Sequence, residues 1–422
     1  MFFHTGAVCF VSGLPDNSGR TPIIKGLTEQ LGSFAPLLHP SPRLDQGETD
    51  FVRQEHDLLR MCADDPEIAA VVVMPYNPVL NRSAFEYLLR SGKPVVILLR
   101  DLNGDLAETS YDFVGVDDFN SARRITQHLI DLGHRHIAHV TTWEPVFNVR
   151  ERERGYTEAL ESAGLLRHKW VLPHENDEIG RILISEEWLR HLLAQPDRPT
   201  AIFALHDWAA LNVLLTAHLI GLCIPRDLAV AGFDGIARFR QGPPLLTTAV
   251  QPFEEIGRQA ATLLQERLRG KATGVKRLYY LEAPLHIHES TDPSRGDTAG
   301  SDLLVQDGAW RSHLIDTWMR LHYAEEIRLH DLAAVVNVSP RRLLEDFQQY
   351  QGKSPMQALQ DERLLRVRGA LLHPGSKTTV ASVASNGGFS HLGRFAVLYR
   401  QRFGESPSDT LRRARTPDSA AF

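Results

Sequence analysis

Between residues 6 and 289, short apolar runs alternate with amphipathic stretches. The runs are AVCFVSG, IAAVVVMP, KPVVILL, HIAHVTT, TAIFAL and LAVAGFD. The stretches between and after them, with apolar positions three and four apart, cover 23–31, 51–63, 83–91, 122–132, 151–163, 186–194, 207–219 and 253–269. Continuous apolar runs predict strands buried on both faces, and helices between them predict parallel sheets. The stretch is long enough to predict two such lobes instead of one. Residues 290–300, STDPSRGDTAG, are polar and rich in breakers, which predicts a linker.

Beyond the linker the period is helical only. Residues 329–352 read LHDLAAVVNVSPRRLLEDFQQYQG and residues 379–404 read TVASVASNGGFSHLGRFAVLYRQRFG. Each holds a short helix of small apolar residues, a tight turn with Asn or Gly, and a longer amphipathic helix. Ser339 and Ser390 are placed to cap the longer helices. Short helix pairs are common in plain helical domains, so one match says little; two in tandem predict a pair of helix-turn-helix units. The second helix of such a unit can enter a major groove, with base-reading residues near its start. That singles out Ser339, Arg341, Arg342 and Glu345 in the first unit, and Ser390, His391, Leu392, Gly393 and Arg394 in the second. Leu343, Leu344, Phe347, Phe395 and Tyr399 fall on the core side. Lys353, Arg402 and Arg412 are candidates for phosphate.

Charge sharpens this division. The 422 residues carry a net −6. Residues 1–300 hold 30 Lys+Arg against 39 Asp+Glu, a net −9, whereas residues 361–415 hold 10 against 4, a net +6. A basic segment behind an acidic body suits a DNA reader attached to a sensor, although such a segment is also compatible with a solvated helical face. No run of about 18 apolar residues predicts a membrane span. The opening MFFHTGAVCFVSG reads as a strand and not as a signal peptide. Three scattered cysteines, Cys9, Cys62 and Cys223, suit buried thiols in a reducing cytoplasm. Phosphate-binding loops, zinc-type His/Cys spacings and the GxSxG pattern are absent from the sequence, which speaks against an enzyme and against a bound cofactor or metal.

The tandem resembles the DNA-binding domain of AraC/XylS transcription regulators over 301–415. The resemblance is carried by Leu332-Ala333, Ser339, Leu343, Phe347, Gly352, Ser354-Pro355, Arg363-Leu364, Ala370, Leu371-Leu372, Val383-Ala384, Gly388-Phe389, Phe395, Arg402-Phe403-Gly404 and Ser406-Pro407. Glu345 and Val397 stand where that family has arginines, so the operator sequence does not transfer. Residues 1–289 resemble the effector domain of lac-repressor-type regulators, through GVDDFNSARRITQHLIDLGHRHIAHV, RERGYTEALESAGL, TAIFALHDWAAL, GLCIPRDLAVAGFDG and LTTAVQPFEEIGRQAATLL. The order of the two is that of XylR-type regulators. The fold this implies is a two-lobed α/β sensor of the periplasmic-binding-protein type followed by an all-α tandem helix-turn-helix domain, with 416–422 as a disordered tail.

The resemblance also implies function. It implies a cytoplasmic homodimer on a double-stranded DNA operator, a small polyhydroxyl effector such as a monosaccharide, and RNA polymerase as partner where the output is activation. Arg152 falls at the family's ligand-clamping arginine, Asp234 at its sugar-contacting aspartate and Gln251 at a cleft position. His206 stands where the family has Asn. Asp207 starts a helix and has a cap as its alternative role. Trp143 and Trp208 follow strand ends and could stack on sugar faces; core or rim packing is their alternative. Arg100-Asp101, after KPVVILL, and the loop 12–17 are weaker candidates. Two rival readings remain. One is a sugar-binding transport component with an appended helical domain. The other is a regulator that no longer responds to a small effector.

Overall fold

Six consecutive residues, Ala7–Ser12, form β1, and every one is buried because helices cover both faces of its sheet. The computed structural model describes residues 6–12, 19–40, 48–76, 78–102, 111–142, 146–166, 170–174, 186–236, 246–272, 274, 276–292, 294, 307–372 and 374–415. After β1 come α1 (Arg20–Leu31), β2 (Leu37–Leu38), α2 (Glu48–Asp64), β3 (Ile68–Met74), α3 (Arg82–Arg90), β4 (Val95–Leu98) and β5 (Asp112–Val116). The chain then builds α4 (Asp118–Asp131), β6 (Ile137–Thr142), α5 (Phe147–Ser162), β7 (Trp170–His174), α6 (Glu186–Leu193), β8 (Ala201–Ala204), α7 (Asp207–Leu219), β9 (Ala229–Asp234) and β10 (Thr247–Val250). It returns through α8 (Phe253–Leu268) and β11 (Leu278–Leu281), and adds β12 (Leu285–His286).

Two sheets result. One runs β11-β5-β4-β3-β1-β2, all parallel; the other runs β12-β10-β9-β8-β6-β7, parallel except for β12. The chain therefore crosses between lobes at 116–118, 250–253 and 281–285. Close helix contacts set the spacing within each lobe. At Gly155 of α5 a Cβ would collide with the Phe119 carbonyl of α4 and stand 2.9 Å from the Arg123 nitrogen. Only glycine lets the two helices approach this far. Ser290 and Thr291 are also buried. The Ser290 hydroxyl donates to the Val230 carbonyl at 2.6 Å and accepts from the Thr247 nitrogen at 2.8 Å, so the second lobe continues into the stretch read as linker.

α7 is apolar around its whole circumference, and such a helix must be covered on every side. One side packs on β9; the other meets α6 and α9 (Gly308–His322), the first helix of the C-terminal region. α10 (Leu329–Val335), α11 (Pro340–Gln351), α12 (Pro355–Leu372), α13 (Val380–Asn386), α14 (Leu392–Phe403) and α15 (Pro407–Arg415) follow. Leu332, Leu343 and Phe347 join the core shared by α7 and α9, whereas Phe395, Tyr399 and Leu371 form a separate core. Among the described residues no helix is long and apolar enough to cross a membrane.

Candidate effector cleft and nucleic-acid interface

Parallel sheets bind ligands at the carboxyl ends of their strands. There the second lobe presents His206, just after β8, and Asp234, which ends β9; the first lobe presents Arg100 after β4. Asp118 opens α4 at the first crossover, and Gln251 follows β10 at the second. Arg152 reaches in from α5.

Arg152 is the hub. Its Nε donates to Asp118 Oδ1 at 2.8 Å and its Nη1 to the Leu205 carbonyl at 2.6 Å. Nη1 also lies 3.6 Å from Asp234 Oδ1, and the guanidinium sits 3.6 Å from the Phe233 ring centroid. Gln251 Nε2 donates to Asp234 Oδ1 at 2.6 Å, and the Gln251 backbone nitrogen donates to the Asp234 carbonyl at 3.1 Å. Asp234 is held at φ 116°, a conformation that L residues rarely adopt and that the surroundings must enforce. Asp207 helps enforce it. Its Oδ2 accepts from the Ile236 nitrogen at 2.8 Å and its Oδ1 from the Thr248 hydroxyl at 2.6 Å, fixing the turn after Asp234.

Burial governs the protonation of this cluster. It pushes the Asp118 carboxyl up to about 6, against the pull of Arg152. Burial, with the neighbouring charge of Asp234, takes Asp207 up to about 8. Asp234 is raised by burial and restrained by Arg152 and Gln251. Burial and the charges of Arg152 and Arg100 push His206 down to about 3, so its imidazole is neutral at physiological pH. The arrangement offers charged and neutral groups in fixed directions, which suits paired hydroxyls.

The structure gathers Arg152, Asp234, His206 and Gln251, and places Asp207 beside them with both oxygens engaged within the protein. The cap of α7 is His206 and not Asp207: its Nδ1 accepts from the Ala209 nitrogen at 3.0 Å. Trp208 does not join the cleft. It lies two residues beyond His206, and its ring stands edge-on to His313 of α9 at 6.2 Å, with the Arg320 guanidinium 5.6 Å away. Trp143 lies outside the described residues. Sequence reasoning missed Asp118. The signal was the doublet Asp117-Asp118, in which Asp117 caps α4, accepting from the Asn120 nitrogen at 3.0 Å, and leaves Asp118 to Arg152.

The C-terminal helices form two helix-turn-helix units, α10–α11 and α13–α14. Their turns need one left-handed residue each, supplied by Asn337 at φ 49° and Gly388 at φ 79°. Ser339 caps α11, accepting from the Arg342 nitrogen at 3.2 Å. Ser390 does not cap α14: the helix starts at Leu392, so the cap position falls on His391, which makes no side-chain cap bond. Arg341 is 90% exposed and pairs with Glu345 at 3.1 Å. His391, Leu392, Gly393 and Arg394 are all exposed. Leu344 is 38% exposed and not core, because the buried stripe of α11 runs through Leu343, Asp346 and Phe347. Lys353 bonds Asp361 at 2.8 Å, Arg412 pairs with Asp409, and Arg402 is exposed.

Arg342 is tied down more firmly, 3.3 Å from the buried Asp346, which also takes Arg311 of α9 at 2.7 Å. A continuous path follows. His206 opens α7; Trp208 of α7 meets His313 of α9; Arg311 of α9 bonds Asp346 of the first recognition helix.

A two-lobed sensor domain built onto tandem helix-turn-helix units defines a DNA-binding transcription regulator. Residues 126–291 match the family described as periplasmic binding protein-like domain, and residues 332–413 match the helix-turn-helix domain family. The chain belongs with the lac-repressor-like transcription regulators, and behind that type of sensor domain it carries an AraC-type helix-turn-helix domain. It is 30% identical over 269 residues to the transcriptional repressor PurR of Pectobacterium atrosepticum, covering 64% of this chain and 75% of that protein. It is 31% identical over 205 residues to the transcriptional regulator CelR of Thermobifida fusca, covering 49% of this chain and 58% of the relative's length. Among solved structures, a LacI family regulator from Mycobacterium smegmatis superimposes with a TM-score of 0.55 at 23% identity, covering 68% of this chain and 99% of its own. A CelR–cellobiose complex superimposes with a TM-score of 0.54 at 24% identity, covering 68% and 86%.

Proposed function

We propose that a small polyhydroxyl effector, a sugar, binds between the lobes and sets the DNA affinity of this regulator. The observation that supports this most is the meeting of Arg152, Asp118, Asp234 and Gln251 at the chain's crossovers. Asp118 and Gln251 stand on the crossovers themselves, so an effector bonded to them is sensitive to the angle between the lobes. It shifts the lobes only to the extent that it binds one arrangement more tightly. The path from His206 through Trp208, His313 and Arg311 to Asp346 carries that shift to the first recognition helix. The regulator acts in the cytoplasm as a homodimer on a double-stranded operator, with RNA polymerase as further partner of an activating form.

The test is thermal melting and calorimetric titration of the full chain with pentoses, hexoses and their acids. Ligand that binds the native state alone raises its stability by RT ln(1 + [L]/Kd). Asp234→Ala is expected to lose two bonds to buried hydroxyls, about 2–6 kcal/mol, or roughly 30-fold or more in affinity. Unchanged affinity in a folded Asp234→Ala protein would remove Asp234 from the site and leave it as a turn residue. No stabilisation by any sugar would favour a regulator that does not respond to a small effector.

A further inference from the structure

This inference rests on the effector reading above and narrows it. His206 is fixed by its place in the fold. Its Nδ1 accepts the Ala209 N–H at 3.0 Å as the cap of α7. A neutral imidazole whose Nδ1 accepts must carry its proton on Nε2. His206 therefore offers the cleft a donor and no acceptor, and the Asn that the wider family resemblance led us to expect there would offer both. Arg100 stands opposite, at the carboxyl end of β4, where its Nη1 donates to the Tyr76 carbonyl. Its charge acts on both His206 and Asp234. Among the described residues, Arg100 makes no ion pair with a carboxylate. By contrast, Arg152 is engaged by Asp118 and Asp234 and by the Leu205 carbonyl. One end of the cleft is thus rich in carboxylate acceptors, and the Arg100–His206 end holds donors and a cation.

We propose that the effector is an acidic sugar, a uronate or aldonate, whose hydroxyls meet Asp234 and Asp118 while its carboxylate is held by Arg100 and the Nε2–H of His206. A carboxylate is the group that such a pair of donors fits. It accepts from both, and a guanidinium can bind it with two parallel bonds. A neutral sugar puts a hydroxyl there instead, which can accept from both donors but gains less from the Arg100 charge.

The experiment is calorimetric titration of the full chain with hexuronates and aldonates and with their parent aldoses, at two salt concentrations. Each hexuronate keeps the ring of its parent aldose and differs from it only at C6, so the affinity ratio of those pairs isolates the carboxylate, whereas an aldonate also loses the ring hemiacetal. Wild type is expected to bind at least one acid tenfold or more tightly than its parent aldose. Arg100→Gln is expected to collapse that preference at least tenfold, Arg100→Lys to restore part of it, and His206→Asn to lower it, with melting curves verifying that each variant is folded. An aldose bound as tightly as its acid, or an unchanged preference in folded Arg100→Gln, overturns the carboxylate proposal while leaving the sugar reading intact. Binding of neither series overturns both.

Discussion

Gly155 ties helix spacing to the effector site, and Gly155→Ala tests that link. α5 carries Arg152 one turn before Gly155, and α4 carries Asp118 one residue before Phe119, whose carbonyl the new Cβ would strike. The added methyl also falls 2.9 Å from the Arg123 nitrogen, and both obstacles are backbone. A side chain cannot swing aside, so the helices must separate by on the order of 1 Å, at a cost of about 1–3 kcal/mol typical of overpacking. Arg152 then draws away from Asp118, and their 2.8 Å bond passes out of hydrogen-bond range. The effector should lose a preorganised partner, and affinity should fall by about tenfold or more, since displacements near 1 Å carry penalties of that order and larger. Urea denaturation measures the first loss and calorimetry the second. Leu88→Ala serves as the control. Leu88 is fully buried in the first lobe, far from this helix pair, and its truncation should cost about 2–5 kcal/mol without changing the affinity of the folded protein. Should Gly155→Ala lose stability while binding effector as wild type does, the coupling of helix spacing to Arg152 is refuted.

Other expectations follow from the same geometry. Arg341→Ala should relax base preference at one operator position by about 1–3 kcal/mol in competition binding, while Phe347→Ala should cost about 3–5 kcal/mol of folding stability; equal unfolding of both would place Arg341 in the structure and not at the bases. Trp208→Ala should leave effector affinity within about threefold and weaken the effector's influence on DNA binding, where coupling of about 1–3 kcal/mol is typical, and an undiminished influence would sever α7–α9 from the path. The folded-state carboxyl of Asp118 titrates near 6, above its ordinary range, so its favourable share of stability is complete in acid and lost as pH rises through that value. Wild type should therefore lose up to about 3 kcal/mol relative to Asp118→Asn between pH 4 and 7, and a pH-independent difference in denaturation midpoints would contradict the burial argument.

The strands that could be read from sequence were those with unbroken apolar runs, β1, β3, β4, β6, β8 and β9. The five-residue β5 escaped because Asp112 and Gly115 interrupt its pattern, although Asp112 is wholly buried. β7 contains Pro173, and β11, Leu278–Leu281, is largely exposed at a sheet edge, so neither shows a two-sided apolar run. In the cleft, Arg152 and Asp234 were legible because single side chains there match a pattern. Asp118 was not, because its role depends on a partner 34 residues away across two helices. Trp208 could not be decided for a related reason: of its two readings the structure shows the packing one, and a strand-end position does not say which way the next helix turns its side chains. Ser390 was misread as a cap because the start of α14 lies one residue further on than the analogy with Ser339 suggests.

The two recognition helices begin differently, and this has a consequence for how the protein searches DNA. α11 starts with a capping serine and Pro340, so its first turn is ordered before any duplex arrives. α14 starts without a side-chain cap and has at its second position Gly393, around which no atom comes within 4 Å. Glycine there weakens the helix by up to about 1 kcal/mol relative to alanine. On the proposed reading, the first helix should meet a half-site with its shape already set, and the second, with the weaker start, should adjust to the groove more readily. Along an operator, mutations under α11 should therefore be punished as they arise, while the segment under α14 has room to drift.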